Sequence, residues 1–253
     1  MRYQARCEYD GTDFAGFQLQ LNGRTVQGEL EAALARLNGG ERVVVDGAGR
    51  TDAGVHATGQ VIGFTYTGGV PGGRLQRAVN ALLPRDVAIR DLRRVPDGFH
   101  PRYAARYREY RYTVWNGPRS PLRERTALGV RVPLDVAAMA SAGSAFVGRH
   151  DFSSFGRADD RSPVRTVHAV RVRKEGRLVT IDVTADAFLR GQVRRMVAAL
   201  LEVGHGKMEA VELAAALAAR EPALNGAAAP AKGLCLRRVA LGRRSGEDKE
   251  DEE

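Results

Sequence analysis

The sequence predicts an α+β protein made of two similar halves, each of which combines strands with helices. Strand and helix signals alternate in two successive series along the chain, and the point between them lies near Asp97–Ala105. Hydrophobic residues make up 43% of the 253 residues and charged residues 27%. This ordinary globular composition excludes collagen-like, low-complexity and fully disordered proteins, and the length suffices for a sizeable core.

The first half begins with a strand and contains two helices. Thr25 is the predicted N-cap of the first helix, because its hydroxyl can accept from a free backbone N–H and the apolar residues that follow recur on one face. The second helix is expected to end before Pro84. Strands are predicted over Arg2–Asp10, Arg42–Val45, Gln60–Tyr66 and Val87–Val95, and helices over Thr25–Leu37 and Arg74–Leu83.

The second half is similar in kind. Its two central strands are predicted to form a hairpin around Glu175-Gly176, and Gly204 is predicted to end a long amphipathic helix. Strands are predicted over Tyr107–Trp115, Thr166–Lys174, Leu178–Ala185 and Leu234–Leu241, and helices over Leu134–Phe146, Phe188–Val203 and Val211–Ala219.

The chain is basic, with 39 Lys+Arg against 30 Asp+Glu and a formal net charge of +9. All but four of the basic residues are arginine, whose planar guanidinium grips phosphate and stacks on bases. Composition alone leaves two interpretations open, a nucleic-acid partner or a coding bias toward arginine. Ser245–Glu253 holds six acids and one lysine, so +14 remains on the rest, and this tail is expected to be disordered.

The low cysteine content and the lack of long apolar runs indicate in which cellular compartment the protein is found. Cys7 and Cys235 are too few for a disulfide scaffold, which favours a reducing environment. The first residues lack the apolar segment of a signal peptide, and no run is long and apolar enough to span a membrane. We therefore expect a soluble, cytoplasmic protein.

The densest cluster of candidate functional residues is Gly47–His56, GAGRTDAGVH. It follows a strand, but Asp52 stands where a dinucleotide-binding loop has its third glycine, and no Gly-Lys-Ser/Thr ends it as in a phosphate loop. The glycines allow a flat ligand to approach the backbone. Asp52 is a candidate nucleophile or general base, with Arg50 holding phosphate or keeping the acid ionised. The alternative is an aspartate that caps a turn.

Metal and serine-nucleophile chemistry find little support in the sequence. The cysteines have no partner at zinc spacing, the five histidines form no His-x-x-x-His pair, and no Gly-x-Ser-x-Gly elbow occurs. Asp159-Asp160 is interpreted as a solvated turn rather than an acid–base pair. We therefore expect no metal site.

Two further segments combine arginine with aromatic or apolar residues. On a strand, Arg106, Arg108, Tyr110 and Tyr112 share one face, which fits either base stacking with backbone contacts or a half-buried strand with core tyrosines and exposed arginines. In Phe188–Met196, FLRGQVRRM, the spacing places Arg190 and Arg194 on one helix face. An anion such as a phosphate or Asp52 would relieve their repulsion, but taken alone the segment favours a solvated face.

Together these segments resemble the TruA-type family of tRNA pseudouridine synthases. The resemblance runs from about Glu8 to Leu241, and GRTDAGVH is its most specific part. Two departures are Phe17, where relatives often carry tryptophan, and Arg190-Gly191, where many carry histidines. The stretches that carry the resemblance are, in chain order, EYDGTDFAGFQLQ, TVQGELEAAL, GAGRTDAGVHATGQV, REYRYTVWN, HDFSSF, FLRGQVRRM and GLCL.

The resemblance implies an isomerase that converts uridine to pseudouridine at positions 38, 39 and 40 of the tRNA anticodon stem-loop. It implies no cofactor, no catalytic metal and a homodimer. It also implies two RNP-like α/β halves that form a continuous, mainly antiparallel sheet flanked by helices, with a central RNA-binding cleft. The corresponding ranges are 1–100 for the half with the aspartate loop, 101–244 for the half that completes the cleft, and 245–253 for the tail.

The resemblance also assigns roles to individual residues. Asp52 matches the catalytic aspartate, and Tyr110 matches the tyrosine that stacks on the uracil. Arg50 matches the arginine that assists base flipping, Arg194 the arginine that pairs with the aspartate, and Leu234 an apolar residue that lines the pocket. Whether the carboxylate attacks the sugar or the base, or removes a ribose proton, stays open at this point, as does whether Tyr110 or Asp52 takes the C5 proton.

Two other functions fit parts of the sequence. An RNA-binding protein without chemistry needs only the basic body and the aromatic strand. Asp52 argues against it, because an acid in an RNA-binding cleft repels phosphate and is explained only if it takes part in a reaction. A metal-dependent nuclease needs a cluster of carboxylates, which the motifs do not offer.

Overall fold

The computed structural model describes residues 1–157, 162–220 and 227–242. The turn predicted at Asp159-Asp160 and the tail predicted at Ser245–Glu253 lie outside the described residues. By residue contacts the chain divides into two compact units. Unit 1 comprises Met1–Tyr107 with the described residues from Leu236 onward, and unit 2 comprises the described part of Arg108–Cys235. The domain ranges 1–100, 101–244 and 245–253 stay a prediction.

The described residues form an α+β structure, as the sequence predicts. In chain order the strands are β1 (Arg2–Tyr9), β2 (Val45–Gly47), β3 (His56–Thr65), β4 (Val87–Arg94), β5 (Ala105–Asn116), β6 (Leu128–Val130), β7 (Gly148–Asp151), β8 (Val164–Glu175), β9 (Leu178–Ala185) and β10 (Leu234–Leu241). The helices are α1 (Val26–Leu37), α2 (Gly72–Leu82), α3 (Pro101–Ala104), α4 (Val136–Gly143), α5 (Gln192–Gly204) and α6 (Ala210–Ala219).

Unit 1 is a mainly antiparallel sheet with helices packed on it. Its strand order is β4-β1-β3-β10, and β2 also pairs with β3. β1 runs antiparallel to both β3 and β4, and β2 runs antiparallel to β3. Tyr3, Ala5, Cys7 and Tyr9 on β1 are all buried. From Ala5 onward the strand follows the period of two, with Arg6 exposed and Glu8 half-buried between them, whereas Arg2 and Gln4 are buried as well.

The first helix confirms the predicted cap. The Thr25 side-chain oxygen accepts from the Gly28 backbone N–H at 3.2 Å, which satisfies one of the free donors at the helix start. Val26, Leu30 and Leu34 form the buried stripe of α1. The helix therefore packs its apolar face inward as the spacing predicts.

The strand after the glycine-rich loop differs from its prediction. β3 begins at His56, four residues before the predicted start at Gln60. Gly59 lies within this strand and not in the preceding loop. A Cβ at this position would overlap the backbone carbonyl of Arg237 on β10, so the glycine allows β3 and β10 to approach closely.

Unit 2 has a second antiparallel set of strands in the order β5-β9-β8-β7, with β6 parallel to β5. The predicted hairpin is confirmed: Glu175 pairs with Leu178, and Gly176 adopts φ +57° in the tight connection. α4 packs on β8 and against α5 and α6. Helix α4 is shorter than predicted, because its last turn tightens into a 3₁₀ turn over Ser144–Phe146.

The start of α5 corrects a sequence prediction. The helix was expected from Phe188 but begins at Gln192, because Gly191 adopts a left-handed conformation with φ +71°. Arg190 precedes the helix and pairs its backbone with Arg157, with N–H···O distances of 3.1 and 3.3 Å. Arg190 and Arg194 therefore do not share a helix face, and that prediction was wrong.

Candidate active site

Asp52 lies in unit 1, in the loop that connects β2 to β3. The base of the loop is closed by the Ala48 N–H, which donates to the Val61 carbonyl at 2.8 Å. The Val55 N–H donates to the Asp52 carbonyl at 3.2 Å and forms a tight turn at the tip. Arg50 is exposed and Asp52 is half-buried, whereas Thr51 between them is buried. The loop thus presents alternate side chains outward on an ordered backbone.

The end of β1 and the segment that follows it hold this loop from one side. The Thr51 hydroxyl shares a hydrogen bond of 2.8 Å with the Tyr9 hydroxyl. The Phe17 N–H donates to the Thr51 carbonyl at 3.1 Å, and the Gly54 N–H donates to the Phe14 carbonyl at 3.2 Å. Two stretches that are far apart in the sequence, EYDGTDFAGFQ and GRTDAGVH, are therefore hydrogen-bonded to each other in unit 1.

Gly11 makes this close packing possible. A Cβ at Gly11 would overlap the backbone carbonyl of Val55, three residues after Asp52. The Gly11 N–H donates to Nδ1 of the buried His56 at 3.0 Å. His56 therefore serves the packing of the loop.

A buried amide holds the loop from the other side. Gln60 on β3 is fully buried, and its Nε2 donates to the Gly49 carbonyl at 2.7 Å. Its Oε1 accepts from the Val61 N–H at 3.2 Å. The side chain thus fixes the peptide that precedes Arg50.

Most of the aromatic strand β5 lies in unit 2. Tyr110 lies opposite Val183 in the β5–β9 ladder, and only 7% of it is exposed. Its ring meets Phe188 edge-to-face, with a centroid distance of 5.2 Å and an interplanar angle of 88°. This contact orients the Tyr110 ring.

The neighbours of Tyr110 on β5 fit the interpretation of a half-buried strand with core tyrosines and exposed arginines only in part. Tyr112 is a core residue: its hydroxyl donates to the Pro230 carbonyl at 2.9 Å, and burial raises its pKa. Arg108 is also buried and donates to the Asp186 carbonyl, so the expected exposure of the arginines is wrong for this one. Arg106, by contrast, is exposed.

Arg194 and Leu234 are connected through one segment of unit 2. Arg194 on α5 donates from Nε to the Ala229 carbonyl at 2.7 Å, and the Ala229 N–H donates back to the Arg194 carbonyl at 3.0 Å. The chain then passes the Tyr112 ring, against which a Cβ at Gly233 would lie 2.6 Å from Cζ, and reaches the buried Leu234. Arg194 is thereby held by backbone on two sides.

The residues singled out by sequence therefore fall into two groups. Arg50 and Asp52 share one loop of unit 1, and Tyr110, Arg194 and Leu234 belong to unit 2. Among the described residues no group of three or more His, Cys, Asp or Glu is arranged to hold a metal ion. In the same part of the chain, no helix has both the length and the apolar character needed to cross a bilayer.

Comparison with known families decides what kind of protein carries this loop. A family model described as tRNA pseudouridine synthase matches residues 5–104 and 142–240, which include the whole Asp52 loop and α5. The chain belongs to the tRNA pseudouridine synthase family. The resemblance drawn from the sequence motifs is thus confirmed.

Individual relatives are similar over nearly their whole length. Proteins named tRNA pseudouridine synthase A are 42% identical in Halalkalibacterium halodurans, 44% in Geobacter sp. strain M21 and 46% in Brevibacillus brevis. These matches cover 92%, 92% and 90% of this chain and 90%, 95% and 94% of the relatives. A chain of a Cbf5-Nop10-Gar1 complex is 13% identical with a TM-score of 0.32, a likeness too low to carry an argument.

Sequence reasoning did not single out Tyr9, Gln60 or Phe188. Tyr9 lies on the buried side of β1, where the period of two in a strand would place its hydroxyl in the core. That is the signal that would have found it, because a buried hydroxyl needs a partner. Gln60 and Phe188 carried no comparable signal, since their partners depend on the tertiary fold.

Proposed function

We propose that this chain isomerises uridine to pseudouridine in tRNA, at positions 38, 39 and 40 of the anticodon stem-loop. The observation that carries the proposal is the ordered loop of a tRNA pseudouridine synthase family member, which presents Asp52 beside an exposed Arg50. The names of the relatives support the substrate class. The homodimer and the cytoplasmic location belong to the same proposal: the homodimer rests on the family resemblance, and the location rests on the cysteine content and the lack of long apolar runs in the sequence.

The reaction requires a carboxylate and a detached base. The target uridine leaves its stack at a cost of a few kcal/mol, and Arg50 holds phosphate or fills the vacated space. Asp52 starts cleavage of the bond between ribose C1′ and uracil N1. The uracil turns, a bond forms between C1′ and C5, the C5 proton leaves to a base, and N1, whose bond to C1′ has broken, takes up a proton. Atoms are conserved, so the substrate and product are isomers.

The remaining residues keep the roles that the resemblance assigns to them. Tyr110 stacks on the uracil, and its edge-to-face contact with Phe188 supports this because it fixes the ring orientation before the base arrives. Arg194 and Leu234 stay predicted site residues, and the RNA-binding cleft stays a prediction.

The test is an isosteric substitution of the acid. Asp52→Asn removes the charge and keeps the shape, so we expect pseudouridine formation to be lost while tRNA affinity stays within about tenfold. Mass mapping of pseudouridine in one unmodified tRNA transcript measures both the extent and the position of the reaction. Asp91→Asn is the matched control, because Asp91 is an exposed aspartate of unit 1 on β4.

The possible results are distinct. Normal turnover by Asp52→Asn contradicts the assignment of the acid. Tight tRNA binding by the unaltered chain without any pseudouridine supports the alternative of an RNA-binding protein without chemistry. Pseudouridine at other positions contradicts the stem-loop assignment alone.

A further inference from the structure

Two buried polar side chains brace the loop on either side of Arg50. The Tyr9 hydroxyl meets the Thr51 hydroxyl at 2.8 Å, and these residues are only 3% and 6% exposed. The Gln60 amide meets the Gly49 carbonyl at 2.7 Å and is fully buried. The braces therefore act on the residues directly before and directly after Arg50, and Thr51 also precedes Asp52.

The pairing register of β1 and β3 is irregular next to Tyr9 and Gln60. Cys7 on β1 pairs with Gln60 on β3, but Tyr9 pairs with Ala57, so the β1–β3 register shifts between these pairs. A bulge of this kind re-aims nearby side chains, and bulges are common beside active sites. This bulge lies between the two braces.

Packing alone does not account for the polar atoms. A phenylalanine at position 9 would fill the same apolar space, and an aliphatic side chain could fill the space of Gln60. Buried hydroxyl and amide groups are retained at a cost unless their hydrogen bonds matter. Here both bonds end on the loop that carries Arg50 and Asp52.

We propose that Tyr9 and Gln60 are positioning residues for the isomerisation, acting through Thr51 and Gly49 to hold Arg50 and Asp52 in their reactive geometry. The inference rests on the proposed function. A displacement of about 1 Å in a reacting group costs on the order of a hundredfold in rate, so a loosened loop slows chemistry before it weakens binding.

Tyr9→Phe tests this with Tyr66→Phe as the matched control. Tyr66 is 3% exposed and directly follows β3 at the end away from the loop; its hydroxyl donates to the Leu37 carbonyl at 2.8 Å and accepts from the Val70 N–H at 3.3 Å. Each substitution deletes one buried hydroxyl of unit 1. The measurements are the single-turnover rate with saturating unmodified tRNA transcript, the tRNA affinity and Tm.

We expect Tyr9→Phe to lower the single-turnover rate about tenfold or more, with affinity within about twofold. Tyr66→Phe should keep both within about twofold, although Tm falls by a similar amount in the two variants. Gln60→Met, which keeps the length and loses the amide, should slow the reaction as Tyr9→Phe does.

A double-substitution cycle separates positioning from general stability. If Tyr9 acts through Thr51, then Thr51→Val and the double variant should each be about as slow as Tyr9→Phe. An unaltered rate in Tyr9→Phe, or an equal loss in Tyr66→Phe, overturns the inference. An unaltered chain that forms no pseudouridine contradicts the proposed function and this inference with it.

Discussion

At the residue scale, close contacts and hydrogen bonds restrict which side chains the Asp52 loop and its neighbours can carry. Thr51, the residue directly before the acid, is buried; its hydroxyl is bonded to Tyr9 at the end of β1, and its carbonyl accepts from Phe17 in the segment after β1. A side chain added at Gly11 would meet the Val55 carbonyl on the same loop. The position of the acid is therefore tied to neighbouring residues of unit 1.

Gly11→Ala should destabilise unit 1 and disturb the loop. The added methyl has to displace backbone, so we expect a loss of about 1–3 kcal/mol in the free energy of unfolding, measured by urea denaturation. Pseudouridine formation should fall as well. Gly98→Ala is the control, because a Cβ there meets nothing within 4 Å. Equal stability of the two variants would show that the loop can yield.

At the element scale, the segment between β1 and α1 is fastened to the start of β4. Arg24 donates to both carboxylate oxygens of Asp86, at 2.7 and 2.9 Å, and its guanidinium lies 4.1 Å from the centre of the Phe14 ring. The Phe14 carbonyl in turn accepts from Gly54 on the Asp52 loop. This bidentate pair therefore supports the loop indirectly.

The Arg24 contact makes the contribution of Asp86 dependent on pH. The hydrogen bond from Arg24 holds the pKa of the Asp86 carboxyl below its usual value of 3.8. Because the pKa of Asp86 is lower in the folded protein than in the unfolded chain, the carboxylate stabilises the fold at pH values above its unfolded-state pKa. This stabilisation is lost as the pH falls through the folded-state pKa. Because the pair is partly exposed, we expect Asp86→Asn to cost up to about 1 kcal/mol at neutral pH.

The measurement is the free energy of unfolding of both proteins from neutral pH to below pH 3. The difference between them should be constant above about pH 5 and shrink in acid. A difference that is independent of pH would mean that the charge of Asp86 contributes nothing.

At the scale of the whole molecule, the charge is the dominant feature. The chain carries +9, or +14 without its acidic last nine residues, and nearly all of its cations are arginine. Such a surface binds a polyanion largely through release of counterions, which is insensitive to RNA sequence. Affinity and catalysis should therefore depend on different residues.

We expect tRNA affinity to fall more than about tenfold between 50 and 200 mM salt, whereas the single-turnover rate of bound tRNA changes little. Binding titrations and single-turnover assays at matched salt concentrations measure the two quantities. Asp52→Asn should show the same salt dependence of affinity as the unaltered chain. An affinity independent of salt would contradict a phosphate-dominated contact.

Much of the fold followed from local signals. The strand β1, the Thr25 cap of α1, the β8–β9 hairpin and β10 were predicted because each depends on residues close together in the chain. GRTDAGVH likewise identified the family and the candidate acid, since glycines around one carboxylate form an uncommon pattern. The sequence by itself therefore determined the class of fold and the family.

Other features came from contacts between distant residues. Tyr9 and Thr51 are 42 positions apart in the chain. Position 59 has room only for glycine because β10 passes beside it. Arg190 precedes α5 and is not part of it: Gly191 is left-handed, and the backbone of Arg190 pairs with that of Arg157. These are hydrogen bonds and close approaches that exist only once strands and loops have packed, so no local spacing encodes them. The tertiary structure alone established how the Asp52 loop is held.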